Sequence, residues 1–356
     1  MTMDQPTVKN KMSVFHCWLP IFFFALTASC STVILPWHAA AGDAEYVIKF
    51  GTVAPDNTPW ANHLKKIKTR VEKASGGRIK YKLFLGGAMG GEVEMVRSLR
   101  RGRLQCFGGS TAAVAEGAAI PELQILELPY LFESFEEADY ILDNVVYDDF
   151  KNILKAKGFY MAYWHENGWR NFATRDVEVH APADLRTLKM RSQESEVHLA
   201  MYRALGVQAE SIPVPEVLGA LKTGMVDGFD NTPLFSSATG WYEGVNHYNV
   251  SEAIYQPAIV IYSLEFIESM PEDLQKLLIG NPKEEMAWGR KAVREIQEPL
   301  LQNFRDEGIT VYKLTDEEKA AFKTLLLPVH KEFEDVVGKE LLKKIYAGKK
   351  EFASKK

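Results

Sequence analysis

YVIKFGTVAPDNTPWANHLKKIKTRVEKASGGRIKYKLFLGGAMGGEVEMVRSLRRGRLQCF, residues 46–107, switches hydrophobic period from two to about 3.6 and back, twice over. Tyr46, Ile48 and Phe50 alternate with Val47 and Lys49, the pattern of a strand. Thr58 can cap a following helix, Pro59 fits its first position, and Trp60, Leu64, Ile67 and Val71 recur at helical spacing until Gly76-Gly77 stops the run. Ile79 to Leu85 reads as a second strand, Gly86 to Gly91 as a tight loop, Glu92 to Arg101 as a helix and Leu104 to Phe107 as a third strand. Strands and helices alternating at such short intervals predict an α/β domain with a largely parallel sheet.

The same alternation returns downstream. Strands are expected at Phe159–Trp164, Lys189–Ser192, from Val226 into Asp227-Gly228-Phe229-Asp230-Asn231, and at Ile259–Tyr262. Helices are expected over about 195–205 and 214–223, with one long helical segment over 283–307 that Pro299 kinks. Thr315-Asp316-Glu317-Glu318 has the form of a capping box. No linker rich in Pro, Ser or Gly separates the halves, which suits two α/β lobes joined by ordered strands in a hinged clamshell.

Upstream, Lys9 and Lys11 precede an apolar stretch from Trp18 to Leu26 that ends in Ala39-Ala40-Ala41. That order reads as a signal peptide over residues 1–41, cut before Gly42, which places the mature protein in the periplasm. A retained anchor fits less well because Ser29, Ser31 and Thr32 interrupt a short run. Cleavage removes Cys17 and Cys30 and leaves Cys106 alone, so no intramolecular disulfide can form.

The 356 residues, 46% apolar and 25% charged with a formal charge of −5, exclude wholesale disorder and a polytopic membrane protein, and argue against a nucleic-acid partner. None of the eight histidines has metal-ligand spacing, so no metal and no cofactor is expected. The loop 86–91 lacks both a Gly-Lys-Ser/Thr ending and GxGxxG spacing, and reads as a turn needing positive φ. No nucleophile stands with a base and an orienter, and no enzyme is expected. Two arginines remain. Arg170 and Arg191 lie at or after predicted strand ends, where α/β sheets bind ligands and where a guanidinium fork matches a carboxylate. A structural pairing with an acid is equally open from position alone.

At these residues the chain resembles the periplasmic solute-binding proteins of tripartite ATP-independent (TRAP) transporters, the DctP type. The resemblance is carried by Leu128-Pro129-Tyr130-Leu131-Phe132, by the segments 184–191 and 215–228, and by Met270-Pro271-Glu272-Asp273-Leu274-Gln275. It implies a two-lobed periplasmic-binding-protein clamshell with crossing strands and a long lobe-spanning helix. Lobe I is expected at 42–168 and 257–296, and lobe II at 169–256 and 297–356. It also implies capture of a small-molecule carboxylate and delivery to TRAP membrane permease subunits, by a monomer or a homodimer. Arg191 would pair with the ligand carboxylate, Arg170 would be a second anion contact, Asn231 would hold arginine and ligand, and Glu92 would face them from the other lobe. The sequence departs from the family pattern in Asp230-Asn231-Thr232-Pro233, Val214 and Val53, which moves the expectation away from a many-hydroxyl sugar acid. Trp60, Phe107, Trp169, Phe235 and Trp241 would instead line an apolar cleft for a hydrophobic or aromatic monocarboxylate, with Trp60, Trp169 and Phe235 as binding residues, against the alternative that such aromatics are core. A periplasmic carrier of a lipid or other apolar ligand on the same fold is the alternative.

Overall fold

The computed structural model describes residues 44–355; the leader assigned to residues 1–41, with Cys17 and Cys30, lies outside them. The described strands are β1 (Tyr46–Gly51), β2 (Ile79–Phe84), β3 (Cys106–Ser110), β4 (Phe159–Thr174), β5 (Lys189–Ser192), β6 (Gln208–Ser211), β7 (Gly228–Asn231), β8 (His247–Ser263) and β9 (Thr310–Lys313). They form one sheet in the order β2-β1-β3-β8-β4-β7-β5-β6, with β9 also on β8. Pairs β1–β2, β1–β3, β5–β6, β5–β7 and β8–β9 are parallel. Pairs β3–β8, β4–β7 and β4–β8 are antiparallel. The sheet is therefore mixed. Its two outer parts follow the parallel expectation, and the two long central strands break it.

Those strands reach well beyond the sequence reading. β4 continues from Trp164 through Asn167-Gly168-Trp169-Arg170 to Thr174, and β8 begins at His247. Their ladder is interrupted by irregularities between Met161 and Tyr163, Glu166 and Gly168, and Arg170 and Phe172. Gly168 sits at the second with φ +103°, and a Cβ there would lie 2.9 Å from Gln297 Nε2. Only glycine meets both conditions, and each bulge re-aims the side chains after it.

Local signals position the surrounding helices. Thr58 Oγ1 accepts from Ala61 N at 3.2 Å to start helix Pro59–Ala74, whose Trp60, Leu64, Ile67 and Val71 are buried. Burying each such large side chain contributes about 1.5–3 kcal/mol. The segment expected as one kinked helix is two helices, Pro282–Arg294 and Gln297–Asp306. The break falls at 295–296 rather than at Pro299, because a proline ring clashes with the carbonyl four residues earlier. The first helix packs on β4 and the second on β9 and on helix Pro233–Ala238, so the pair still spans both parts.

Three apolar clusters follow the crossing strands. Met161 and Trp164 of β4 and Ile259 and Ile261 of β8 join the first, which holds β1 to β3. Phe172 and Ile254 join the second, and Tyr248 joins the third with Phe229 and Trp241. Val329, Phe333, Val337, Leu342 and Ile345 also enter the first cluster, so helices Pro328–Val337 and Lys339–Ser354 pack with the portion expected as lobe I although residues 297–356 were read as lobe II. Cys106 is a buried free thiol, as expected.

Candidate functional site

The C-terminal ends of two parallel strand pairs, which run in opposite directions, meet: β1 leads into Thr52-Val53-Ala54, β3 ends in Gly109-Ser110, β5 leads into Gln193 and β7 ends in Asn231. Open α/β sheets present ligand sites at such ends. Together with Arg170 of β4 and Gln256 of β8, these segments enclose a narrow cavity. Trp60 and Phe235 line it, as does Arg191.

Arg191 is the unusual group. It is 1% exposed, and no carboxylate among the described residues lies within ion-pair distance of it. Its Nε and Nη2 both donate to Ile212 O, at 2.9 and 2.7 Å. That contact holds the guanidinium side-on and leaves the edge formed by Nη1 and the second Nη2 hydrogen without an acceptor. The Trp241 ring lies 5.0 Å from the guanidinium carbon, a cation–π contact. Burial, with the like charge of Arg170, lowers its pKa to about 10.

Arg170 is the opposite case. Its Nε donates to Asp230 Oδ2 at 2.5 Å, its Nη2 to Asp230 O at 2.5 Å, and its Nη1 to Gln193 Oε1 and Gln256 Oε1, both at 3.0 Å. Burial alone would raise the Asp230 carboxyl. The Arg170 charge and His198 outweigh it and hold Asp230 well below the usual carboxylate range. Tyr202 OH donates to the other Asp230 oxygen at 2.8 Å. Behind this pair His198 Nε2 lies 2.8 Å from Glu127 Oε2. Glu127 also accepts from Thr111 Oγ1, Ala112 N and Gln256 Nε2, each at 2.7 Å. Arg170 thus lines the cavity, but its charge is already matched.

Asn231 Oδ1 accepts from Thr232 N at 2.8 Å and lies 3.5 Å from Arg170 Nη1, which fixes its amide and leaves Nδ2 without a protein acceptor. Glu92 opens helix Glu92–Arg100 on the other wall. Its Oε1 accepts from Ser110 N at 2.9 Å and its Oε2 from Ser110 Oγ at 3.2 Å. Burial raises its pKa, the Ser110 amide notwithstanding. A Cβ at Gly109 would collide with Glu92 Oε1 and the Phe107 ring, so the close approach of Glu92 to β3 requires glycine. Gln193 Nε2 donates to Ser110 Oγ at 2.9 Å and ties β5 to β3 across the cavity. The glycine loop behaves as a turn: Gly86, Gly87 and Gly90 have positive φ, and the amides of Gly86 and Gly87 donate to Ala54 O and Thr52 O.

Of the residues singled out in the sequence, Arg191, Arg170, Asn231, Glu92, Trp60 and Phe235 converge on the cavity. Trp169 does not. Its ring packs on Phe135 and Tyr255, 5.8 and 5.2 Å away, within the core. Phe107 is core as well, and Trp241 acts from behind Arg191. The sequence reading passed over Gln193, Gln256 and Asp230. Gln193 had a signal, since it stands two residues after Arg191 on an extended segment and shares its face. A larger groove lies elsewhere, but its Arg290 and Arg294 pair with Asp143 at 2.6 Å and Asp139 at 2.7 Å, and its Lys283 and Lys291 are solvent-exposed.

Comparison with known proteins agrees with this geometry. The family described as "Bacterial extracellular solute-binding protein, family 7" matches residues 50–335. The chain is 29% identical to the C4-dicarboxylate-binding periplasmic protein DctP of Rhodobacter capsulatus, over 85% of this chain and 90% of that one. The sugar acid binding protein DctPAm of Advenella mimigardefordensis, solved with galactonate, superposes with a TM-score of 0.82 at 27% identity, covering 86% of this chain and 98% of that one. A TRAP periplasmic solute binding protein of Sulfurospirillum deleyianum, solved with succinate, gives a TM-score of 0.80 at 26% identity, covering 85% and 99%.

Proposed function

The chain belongs to the bacterial extracellular solute-binding proteins of family 7, and we propose that it binds an organic acid by pairing the ligand carboxylate with Arg191 and delivers it to an ion-coupled TRAP membrane permease. The family is one of transport proteins, not of enzymes. The observation that carries the reading is a buried guanidinium with no carboxylate partner and one free edge, beside an Asn231 amide that also lacks an acceptor. A buried charge left unpaired is costly, so a fold keeps one only where a ligand completes it.

The chemistry follows from that edge. A carboxylate fits Nη1 and Nη2 of Arg191 with two parallel charge-assisted hydrogen bonds, each contributing about 1.5–3 kcal/mol. Asn231 Nδ2 supplies a third donor. Closing the two lobes over the ligand excludes the remaining solvent and strengthens the pair. Gln193 donating to Ser110, and Glu196 N donating to Glu116, are among the contacts between the walls. Before this cycle the leader over residues 1–41 directs export and is removed.

Relatives named for a C4-dicarboxylate and a sugar acid leave the acid open across those classes. A thermal-shift screen of the chain from Gly42 with dicarboxylates, sugar acids, 2-oxo acids and aromatic acids tests the reading. A native-state ligand raises the melting temperature by mass action. We expect at least one acid to stabilise the wild type and to lose that effect in Arg191→Ala. An acid that stabilises both equally contradicts the assignment of Arg191.

A further inference from the structure

The charge inventory of the cavity concerns the end of the ligand that Arg191 does not hold, and it rests on the carboxylate reading above. Among the described residues only two cations line the cavity, Arg191 and Arg170. Arg170 is matched by Asp230, and each of its three nitrogens has a protein acceptor. Four backbone donors in and beside the lining are also committed. Ser110 N donates to Glu92, Ala112 N to Glu127, Thr232 N to the Asn231 side chain and Phe235 N to Thr232 Oγ1. The cavity also holds Glu92, 7% exposed, with Ser110 as its partner and no cation within ion-pair distance. Apart from Glu92 and the two arginines the lining is neutral, with Asn167, Gln256, Thr52, Val53, Val214 and the Trp60 ring among it.

We infer that this cavity selects monocarboxylates whose far end is uncharged, and rejects the dicarboxylate of the same length. A second carboxylate would be buried with no unmatched cation and would share the cavity with Glu92, whose oxygens already accept from Ser110 and whose ionised form repels an anion. A hydroxyl, carbonyl or apolar terminus carries no such cost. The amides of Asn167 and Gln256 suit the first two, and Trp60, Val53 and Val214 suit the third.

The test is titration calorimetry of the wild-type chain from Gly42 with matched pairs that differ only at the far end: D-galactonate with galactarate, D-gluconate with D-glucarate, 4-hydroxybutyrate with succinate, and benzoate with terephthalate. In each pair that binds, the monocarboxylate is expected to bind at least tenfold more tightly. A dicarboxylate that binds as tightly as its partner, or more so, overturns the inference and leaves the role of Arg191 standing. If no member binds the wild type more tightly than Arg191→Ala, the carboxylate reading fails and the inference falls with it.

Discussion

Arg170 and Arg191 are the same residue type, equally buried, about twenty positions apart, and they do different work. Arg170 lies against Asp230 at 2.5 Å and has acceptors on every nitrogen. Arg191 has one backbone carbonyl and an aromatic face. Removing one partner of a buried pair strands the other, at about 3–5 kcal/mol. Asp230→Asn is therefore expected to lower unfolding stability by that order in urea titrations, and a loss under 1 kcal/mol would count against the pairing. The sign with pH follows. Asp230 and Glu127 titrate below their ordinary values of 3.8 and 4.5, so they contribute stability that is present above those values and lost as pH falls below them. The wild-type melting temperature should fall on acidification through that window, and Asp230→Asn should flatten the fall. Equal slopes in both proteins would contradict the assignment.

Elements place these side chains by registers that short segments of sequence do not announce. The alternation in 46–50 and the capping signals at Thr58 and Thr315 predicted their elements correctly, because period and caps are local properties. β4 and β8 were only half visible. Bulges, Gly168 and Pro257 interrupt their alternation, and both faces are covered along most of their length. Arg170 and Gln256 lie in those stretches, so one was placed after a strand that in fact continues and the other was missed. Which arginine is satisfied was not legible at all, since Asp230 reaches Arg170 only through the β4–β7 pairing. Two variants test the element scale. Gly109→Ala should push Glu92 off Ser110 and destabilise the fold by about 1–3 kcal/mol, measured by chemical denaturation. Gln193→Ala removes the hydrogen bond between β5 and β3 and should speed ligand release by about 2- to 10-fold in stopped-flow fluorescence. Unchanged release would mean that the contact does not hold the walls together.

At the scale of the molecule, two long strands and a pair of helices broken by Pro299 join parts that each carry their own apolar cluster. Such a frame suits hinge closure, and a ligand shifts that equilibrium only by its preference for the closed form. Small-angle scattering should show the radius of gyration contracting when the wild type is saturated with its acid; no change would speak against closure. The central claim is narrower, that one unpaired guanidinium supplies the anchor. Titration calorimetry tests it most directly, with the acid that most stabilises the wild type, run against wild type and Arg191→Ala at one ionic strength. Loss of the anchor is expected to cost about 2–5 kcal/mol, or roughly thirty-fold to several thousand-fold in affinity. Binding to Arg191→Ala within threefold of the wild type would contradict it.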